Sequence, residues 1–381
     1  MRFLVLVSIA ILMIACSKKS SENFTIENGV KIFSNTNEVK DPNLKYTLTE
    51  AFEINNDEAG EDSTRVIKSV SDLVVDRFGN LFLFDSNSFL IKKYDTKGNF
   101  LMSFGKQGQG PGEYTFGFDF FLVGDTLSVQ DIQTASTVRF NIDGSFIDKR
   151  PYIGVSGLVI GESINGVKND KVIGYKPTIK REKEDMYIGN DLVLMDVRFN
   201  EICKLREYIT KIDPDDIRFF DSITKYTIAK DKIYMSENSE DRYSVYSYDF
   251  NGKQLETIRK TYMKISYNDE EQSVMDKNLQ LGINGKQLHQ TKTYKKSINS
   301  LYVDKYGRLL VCASKERKVD DSRKFYADVF QDGVLLNSIE IPELSTMDFM
   351  SPLGGIIVWF IGDRIYQWDD DKSTLKVFDY I

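Results

Sequence analysis

The feature that most constrains the fold is a short turn that recurs along the chain. At residues 76–79, 95–98 and 304–307 an aspartate is followed three positions later by a glycine. Aspartate stabilises such turns by accepting backbone hydrogen bonds, and glycine accepts the positive φ that they need. Short runs of β-branched and aromatic residues flank each turn. The chain is therefore predicted to be all-β, with short strands joined by tight turns.

The spacing of the turns indicates a repeated unit of four strands. Turn glycines at Gly98, Gly144 and Gly252 recur at intervals close to one or two units of about 50 residues. A unit of this size, made of four antiparallel strands, is typical of a β-propeller blade. Counting sets of four strands gives five blades, over residues 70–104, 117–150, 155–208, 223–258 and 298–341.

The C-terminal segment predicts a sixth blade that lacks one strand. It supplies only three further strands, over residues 355–361, 364–368 and 374–380. The extended segment 46–54, before the first blade, can provide the fourth. Such a closure joins the two ends of the chain and removes an exposed sheet edge. We therefore predict one domain over residues 45–381, a six-bladed β-propeller of four-stranded antiparallel blades whose last blade is closed by an N-terminal strand.

Residues 1–16 have the pattern of a lipoprotein signal peptide. Arg2 precedes an apolar run over residues 3–15, which is shorter than the roughly 20 residues of a membrane-spanning helix. The run ends at Cys16 in a tetrapeptide that resembles a bacterial lipobox, with Met13 where leucine is usual. These residues predict a lipid on Cys16 and a polar tether over residues 17–44. An ordinary cleaved signal peptide is the alternative.

The residue inventory excludes several kinds of function. The formal net charge is −7 and no long basic run occurs, so nucleic acid is not expected as a partner. One histidine, His289, and three scattered cysteines, Cys16, Cys203 and Cys312, cannot form a Cys/His zinc site or a redox Cys-x-x-C motif. The acidic run 369–371 lacks the spacing of a calcium-binding loop. No cofactor, metal site or catalytic residue is predicted, and a monomer is expected.

A glycine-rich string follows the first predicted blade. Residues 105–114 contain four glycines, a proline, and the pair Glu113 and Tyr114. This string, after a blade with Asp–Gly turns, resembles the six-bladed β-propeller lipoproteins of Bacteroides and relatives, which are similar to NHL-repeat propellers. The resemblance covers roughly residues 45–381 and implies a propeller fold and a cell-envelope location. In such organisms surface export is associated with an acidic cluster after the lipidated cysteine. Here Glu22 stands alone, which implies the outer membrane facing the periplasm.

Loop lengths differ between the two predicted faces of the propeller. Turns between first and second strands, and between third and fourth strands, share one face and are short. Loops between second and third strands share the other face with the blade-to-blade crossings. The long loops of that face are residues 105–116, 176–190, 210–222, 259–297, 314–323 and 342–354. Long loops on a rigid scaffold commonly carry binding residues, so this long-loop face is the predicted working surface.

Two segments of the long-loop face supply the candidate ligand-binding residues. They are Lys106, Gln107, Gln109, Glu113 and Tyr114 in the glycine-rich loop, and Tyr262, Tyr267 and Tyr294 in the insertion 259–297. The glycine-rich loop lacks the order of a phosphate-binding P-loop, and the alternative is that Glu113 and Tyr114 dock into the next blade. The tyrosines could stack on a sugar ring or a peptide. Within the insertion, Asn268 as N-cap with Glu271 predicts a short helix over residues 269–281.

The sequence favours a lipid-anchored, non-catalytic module that binds a small molecule, a glycan or a protein partner on its long-loop face. A carboxylate-dependent lyase or hydrolase of glycans or lactones is the alternative, because the chain contains 57 Asp and Glu residues that cannot be paired from sequence. A scaffold within an envelope complex is a third hypothesis. An enzyme would gather carboxyl groups with perturbed pKa values at the mouth of the channel, which separates it from a binding module.

Overall fold

The computed structural model describes residues 23–57, 59–151, 171–196, 198–211, 224–269, 271–272, 281–283, 286–288, 294–316, 324–345 and 355–381. These residues are nearly all β and form a six-bladed β-propeller of small, mainly antiparallel sheets. The predicted fold is therefore confirmed. The predicted signal peptide with Cys16, and also His289, lie outside the described residues.

The first half of the described chain forms three N-terminal strands, blades 1 to 3 and one small pair. The N-terminal strands are β1 (Phe24–Glu27), β2 (Val30–Asn35) and β3 (Leu48–Ile54). Blade 1 contains β4 (Val70–Val75), β5 (Leu81–Asp85), β6 (Leu90–Tyr94) and β7 (Phe100–Phe104). After the pair β8 (Lys106–Gln107) and β9 (Glu113–Tyr114), blade 2 contains β10 (Gly117–Val123), β11 (Thr126–Asp131), β12 (Ser136–Asn141) and β13 (Phe146–Pro151). Blade 3 contains β14 (Lys171–Glu182), β15 (Asp185–Asp196) and β16 (Glu201–Arg206), with β17 (Ile209–Lys211) paired to β15.

The second half forms blades 4 to 6 and a small hairpin. Blade 4 contains β18 (Tyr226–Ile228), β19 (Ile233–Ser236), β20 (Tyr243–Tyr248) and β21 (Gln254–Lys260). The hairpin of β22 (Leu281–Ile283) and β23 (Lys286–Leu288) follows. Blade 5 contains β24 (Ile298–Val303), β25 (Leu309–Ala313), β26 (Lys324–Gln331) and β27 (Val334–Ser345). Blade 6 contains β28 (Ile356–Ile361), β29 (Arg364–Asp369) and β30 (Thr374–Tyr380).

Strand β3 closes blade 6, as the sequence predicts. It pairs antiparallel with β30, with Leu48 opposite Tyr380 and Ile54 opposite Leu375. The strand order β28-β29-β30-β3 places the N-terminal strand at the outer edge of the sheet. The ring of blades is thus closed by pairing the two ends of the propeller domain.

Part of the predicted tether over residues 17–44 is folded. Strands β1 and β2 form a hairpin, and β2 pairs parallel with β21, so the sheet of blade 4 has six strands. Further along, the backbone amides of Lys40 and Asp41 donate to carbonyl groups of β27 in blade 5. We call residues 24–54 the N-terminal strap, because they run along the outer edges of blades 4, 5 and 6. Only the residues before Phe24 are left for the predicted tether.

Among the described residues, six apolar clusters form the core, one between each pair of neighbouring blades. The fully buried Trp368 lies between blades 6 and 1, and Phe84 lies between blades 1 and 2. The remaining clusters join blades 2 and 3, 3 and 4, 4 and 5, and 5 and 6. Phe33 and Tyr46 of the strap belong to the last two of these clusters. The strap therefore contributes to the core as well as to sheet pairing.

The Asp–Gly turns have the geometry expected from their residues. The Asp95 side chain accepts from the backbone amides of Lys97 and Asn99 at 2.8 and 2.9 Å, and Gly98 has a φ of +86°. Hydrogen bonds from the Asn99 side chain and backbone lower the pKa of Asp95. The same turn occurs in blade 3, where Phe199 takes the glycine position with a φ of +63°. Aspartate therefore defines the turn even where glycine is absent.

Replacing Gly333 with Ala is expected to displace the strap. Gly333 has a φ of +78°, and a Cβ atom there would lie 2.4 Å from ring atoms of Phe33. Backbone strain and overpacking together should lower the free energy of unfolding by about 2–4 kcal/mol. The control is Gly307→Ala, because Gly307 has the same φ and nothing within 4 Å of its Cβ position. Urea unfolding should show a loss of about 1–2 kcal/mol for the control. Equal losses for both variants would contradict a role of the Phe33 contact.

Candidate functional site

One hairpin of the long-loop face has longer paired strands than the solvated hairpin tip that the sequence predicts. Residues 176–190, predicted as a loop, belong mostly to β14 and β15, which pair from Lys171 opposite Asp196 to Glu182 opposite Asp185. The turn at its tip includes Lys183, with a φ of +57°. The prediction of a long loop is therefore wrong at this place, and only the turn at the tip is irregular.

The glycine-rich loop between blades 1 and 2 is closed by its own side chains. Lys106 Nζ lies 2.8 Å from Glu113 Oε1, and the backbone amide of Gly110 donates to Glu113 Oε2 at 2.8 Å. The hydrogen bond between the side chains raises the pKa of Lys106 and lowers that of Glu113. Gly108 is needed because a Cβ atom there would lie 2.0 Å from Glu113 Oε2. The charges of Lys106 and Glu113 are thus already paired with each other.

Tyr114 is buried and cannot contact a ligand at the surface. Its side chain is fully buried, its ring packs against Phe84, and its hydroxyl donates to the carbonyl of Phe89 at 2.7 Å. Burial raises the pKa of Tyr114 above its usual range. The prediction of Tyr114 as a ligand contact is wrong, and the alternative of docking into the next blade fits its position. Gln107 and Gln109 are exposed on the same loop.

Replacing Glu113 with Ala is expected to lower the melting temperature, because the loop loses its closing ion pair and the acceptor of the Gly110 amide. Thermal unfolding of the purified protein measures this effect. Gln109→Ala is the matched control on the same loop, since Gln109 is exposed, and it should change the melting temperature little. Unchanged stability of Glu113→Ala together with loss of ligand binding would instead identify Glu113 as a ligand contact.

The three candidate tyrosines of the insertion make contacts within the protein. Tyr262 packs against Tyr243 with ring centroids 6.3 Å apart, and burial raises the pKa of Tyr262 to about 12. The Nζ atom of Lys264 lies 3.6 Å from the ring centroid of Tyr294. Tyr267 lies beside Lys295, whose Nζ is 5.6 Å from its ring centroid. The described contacts bring none of these rings to the glycine-rich loop.

The predicted helix of the insertion has its capping pair. The amide of Glu271 donates to Asn268 Oδ1 at 2.8 Å, and the amide of Asn268 donates to Glu271 Oε2 at 3.0 Å. The predicted end at Leu281 is wrong, because Leu281 begins strand β22. Only the first turn of the helix lies among the described residues.

A cleft of about 380 Å³ opens on the long-loop face between blades 3 and 4. We call it the blade 3/4 cleft. Arg206, Tyr208 and Thr210 line it from the end of blade 3, and the loop 237–242 lines it from blade 4. Lys264 and Lys296 of the insertion complete the lining, whereas no residue of the glycine-rich loop takes part. Of the two segments predicted to form one mouth, the insertion 259–297 contributes to this cleft.

Ion pairs neutralise part of the charge in the cleft. Arg242 donates from Nε and NH2 to Glu237 Oε1 at 2.9 and 2.8 Å, and Lys264 Nζ lies 3.8 Å from Glu240. Burial of Glu237 opposes its ionisation, but hydrogen bonds from Arg242 and Ser244 outweigh burial and lower its pKa. The Glu237 carboxylate is therefore held in the ionised form.

Within the described part of the chain, Arg206 and Lys296 are the two cations of the cleft without a carboxylate partner. Among these residues, no carboxylate oxygen lies within 4.0 Å of either. The Arg206 guanidinium lies 4.3 Å from the ring centroid of Tyr246. Lys296 Nζ donates to the carbonyl of Asn238 at 3.2 Å and lies 5.8 Å from the ring centroid of Tyr208. Both cations are held in position by these contacts, and neither forms an ion pair with a described carboxylate.

Hydrogen bonds from Ser297 hold the loop 237–242 of blade 4, which lines the cleft. The backbone amide of Ser297 donates to the carbonyl of Ser239 at 2.7 Å, and the Ser297 hydroxyl donates to the carbonyl of Arg242 at 2.7 Å. Ser239 in turn donates to Asp241 at 2.6 Å, which lowers the pKa of Asp241. These bonds order the wall before a ligand arrives, which reduces the entropic cost of binding.

Two buried carboxyl groups lie on the innermost strands of blades 1 and 2. Asp72 and Asp119 are almost fully buried, and each lies beside a β-bulge near the start of its strand. Bulges redirect side chains and are frequent near active sites. This repeated position is where the enzyme hypothesis would place its carboxylates.

The acidic run 369–371 is partly structural. Asp370 Oδ1 accepts from the Ser69 hydroxyl at 3.2 Å and from the Trp368 indole at 3.0 Å, which connects blade 6 to blade 1. Across the described residues, no group of three or more His, Cys, Asp or Glu side chains is arranged to hold a metal ion. In that same part of the chain, no helix combines the length and apolar character needed to cross a membrane.

No protein-family model matches the sequence, and no curated protein matches it. Solved structures are similar in fold. A Bacteroides fragilis protein named as exported is 13% identical over 92% of this chain and 99% of its own, with a TM-score of 0.49. Virginiamycin B lyase from Staphylococcus aureus is 11% identical over 88% of this chain and 100% of its own, with a TM-score of 0.43. A member of the DUF4221 family from Bacteroides vulgatus is 10% identical over 88% of this chain and 98% of its own, with a TM-score of 0.50, and this similarity shows the fold alone.

Proposed function

We propose that the protein is a lipid-anchored binding module of the cell envelope that holds a ligand on its long-loop face. The observation that carries this proposal is the blade 3/4 cleft. Its volume of about 380 Å³ falls in the range of small-ligand sites, roughly 300–1,000 Å³. It combines two cations that no described carboxylate pairs with and a wall that is ordered by hydrogen bonds to Ser297. A small molecule, or the end of a glycan or protein chain, fits these features.

The protonation states in the cleft favour binding over acid catalysis. A general acid at neutral pH needs a raised pKa. Glu237 and Asp241 instead have lowered pKa values, because Arg242 and Ser239 donate hydrogen bonds to them. The specific observation that favours the enzyme alternative lies elsewhere, in the two buried carboxyl groups of Asp72 and Asp119. A lyase or hydrolase that used these carboxyl groups should lose turnover in Asp72→Asn or Asp119→Asn.

The envelope location rests on the N-terminal pattern. A lipid on Cys16 would tie the chain to the outer membrane, with the propeller facing the periplasm. The eight residues from 17 to 24 reach at most about 28 Å when extended, so the rim of blade 4 would stay close to the lipid surface. Cys16→Ala should release the protein from membranes, and protease added to intact cells should leave the wild type intact. Wild-type protein that washes off membranes in salt alone would contradict the anchor.

The binding role is tested by a thermal-shift screen of the mature chain against polar small molecules and oligosaccharides. Wild type is compared with the double variant Arg206→Ala/Lys296→Ala, whose side chains line the cleft. We expect compounds that raise the melting temperature of the wild type and leave that of the variant unchanged. A screen without stabilising compounds, or hits that stabilise both proteins equally, would contradict binding at this cleft.

A further inference from the structure

We propose that the ligand of the blade 3/4 cleft is a sugar acid, whose carboxylate is bound by Arg206 and Lys296. This inference rests on the proposed function and adds the chemical class of the ligand. Three observations support it: the charge balance of the cleft, the contacts that hold Arg206 and Lys296, and the polar groups beside these two cations.

The charge balance of the cleft favours a ligand with one negative charge. Four cationic side chains and three carboxylates line the cleft. Arg242 pairs with Glu237, and Lys264 lies beside Glu240, so these four charges compensate each other. Asp241 is hydrogen-bonded to Ser239 and remains as a negative charge in the wall. A monoanion is therefore attracted to Arg206 and Lys296, whereas a polyanion would also meet the three carboxylates.

The two available cations are held as hydrogen-bond donors. The Arg206 guanidinium lies over the ring of Tyr246, and no described carboxylate forms an ion pair with it, although its charge helps to lower the pKa of Glu237. Lys296 uses one donor on the carbonyl of Asn238 and retains two others. Charge-assisted hydrogen bonds from such donors to a carboxylate are stronger than neutral ones.

The other residues that line the cleft are mainly polar, so they suit the hydroxyl groups of a ligand better than an apolar ligand surface. Glu240 and Asp241 can accept hydrogen bonds from ligand hydroxyls, and Thr210 and Ser239 add further polar groups. Tyr208 presents a partly exposed ring on which the apolar face of a sugar can pack. Hydroxyls beside a single carboxylate are the defining groups of a sugar acid.

The test is isothermal titration calorimetry on the mature chain with galacturonate, glucuronate, galactose and glucose 6-phosphate. We expect one of the two acids to bind at least 10-fold more tightly than galactose, with affinity falling as salt rises. Arg206→Gln and Lys296→Gln should each weaken that binding about 10-fold or more while the melting temperature stays near that of the wild type. Lys183→Gln, at the tip of the exposed β14–β15 hairpin, is the control and should bind as the wild type does.

Four results would overturn the inference. Two concern the ligands: equal binding of galactose and the acids, and tighter binding of glucose 6-phosphate than of the acids. The other two are acid binding that survives both substitutions and absence of binding by both acids. The proposed function fails separately, when the broader thermal-shift screen finds no compound whose effect depends on Arg206 and Lys296.

Discussion

A chain that begins at Asn55 is expected not to fold. It lacks β3, which pairs with β30 along the outer edge of blade 6, and it lacks Phe33 and Tyr46 from two core clusters. The Tyr46 hydroxyl also donates to Asp304 at 2.5 Å, a contact that ties the strap to blade 5. Each buried apolar side chain contributes about 1.5–3 kcal/mol, and the lost strand pairing adds to this. The total is on the order of the 5–15 kcal/mol that stabilises a domain.

Two longer chains serve as controls for this truncation. A chain that begins at Asn23 keeps the whole strap and should unfold cooperatively with the stability of the mature protein. A chain that begins at Tyr46 keeps β3 but loses β1 and β2, so an intermediate loss is expected. Circular dichroism and urea unfolding measure all three. Cooperative unfolding of the Asn55 chain at near-normal stability would contradict closure by β3.

Asp85→Ala is expected to cost about 3–5 kcal/mol of the free energy of unfolding. Asp85 and Lys92 are both fully buried, with 3.2 Å between Oδ2 and Nζ. Burial lowers the pKa of Lys92, and the charge of Asp85 opposes this effect. Asp85 also accepts from the backbone amides of Lys68, Ser69 and Ser88. Removing the carboxylate therefore leaves a buried cation and three amide groups without their acceptor.

Matched variants distinguish the cost of leaving Lys92 buried without Asp85 from the loss of an ordinary ion pair. In Asp85→Ala/Lys92→Met no buried cation remains, so the double variant should lose less stability than the two single variants together. Asp185→Ala breaks an exposed ion pair with Lys211 at 2.8 Å and should cost less than about 1 kcal/mol. Urea unfolding of the four variants measures these differences. A loss for Asp85→Ala as small as that for Asp185→Ala would contradict a structural role of the buried pair.

The fold was predictable because its signals are local. Each Asp–Gly turn lies between two neighbouring strands, so the strands can be counted from the sequence. The count showed that the last blade lacks a fourth strand, and β3 occupies that position. The pairing of β2 with β21 was not predictable, because the partners lie more than 200 residues apart and no local pattern connects them. The charged residues of the β14–β15 hairpin predicted a solvated hairpin tip, but they did not indicate that cross-strand pairing continues as far as Glu182 opposite Asp185.

The site was less predictable than the fold. The sequence drew attention to the glycine-rich loop, whose residues serve mainly to close that loop and to dock Tyr114. Three segments that are distant in the sequence form the cleft, and they contain Arg206, Glu237 and Lys296. None of these segments carries a recognisable sequence motif. The polar run over residues 237–242 in a second-to-third loop was the only local signal. The sequence does not show that Arg242 pairs with Glu237 and Lys264 with Glu240. Only the structure shows these ion pairs, and with them that Arg206 and Lys296 are the cations of the cleft that no described carboxylate pairs with.

Hydrogen–deuterium exchange measures most directly whether a ligand binds at the blade 3/4 cleft. The mature protein is compared with and without a compound that raises its melting temperature, such as galacturonate or another hit of the screen. We expect slower exchange in residues 206–211, 237–242 and 294–297, and no change in the turns 76–79 and 249–252 of the opposite face. Slower exchange confined to those turns or to the rim, with the cleft segments unchanged, would contradict the cleft as the binding site.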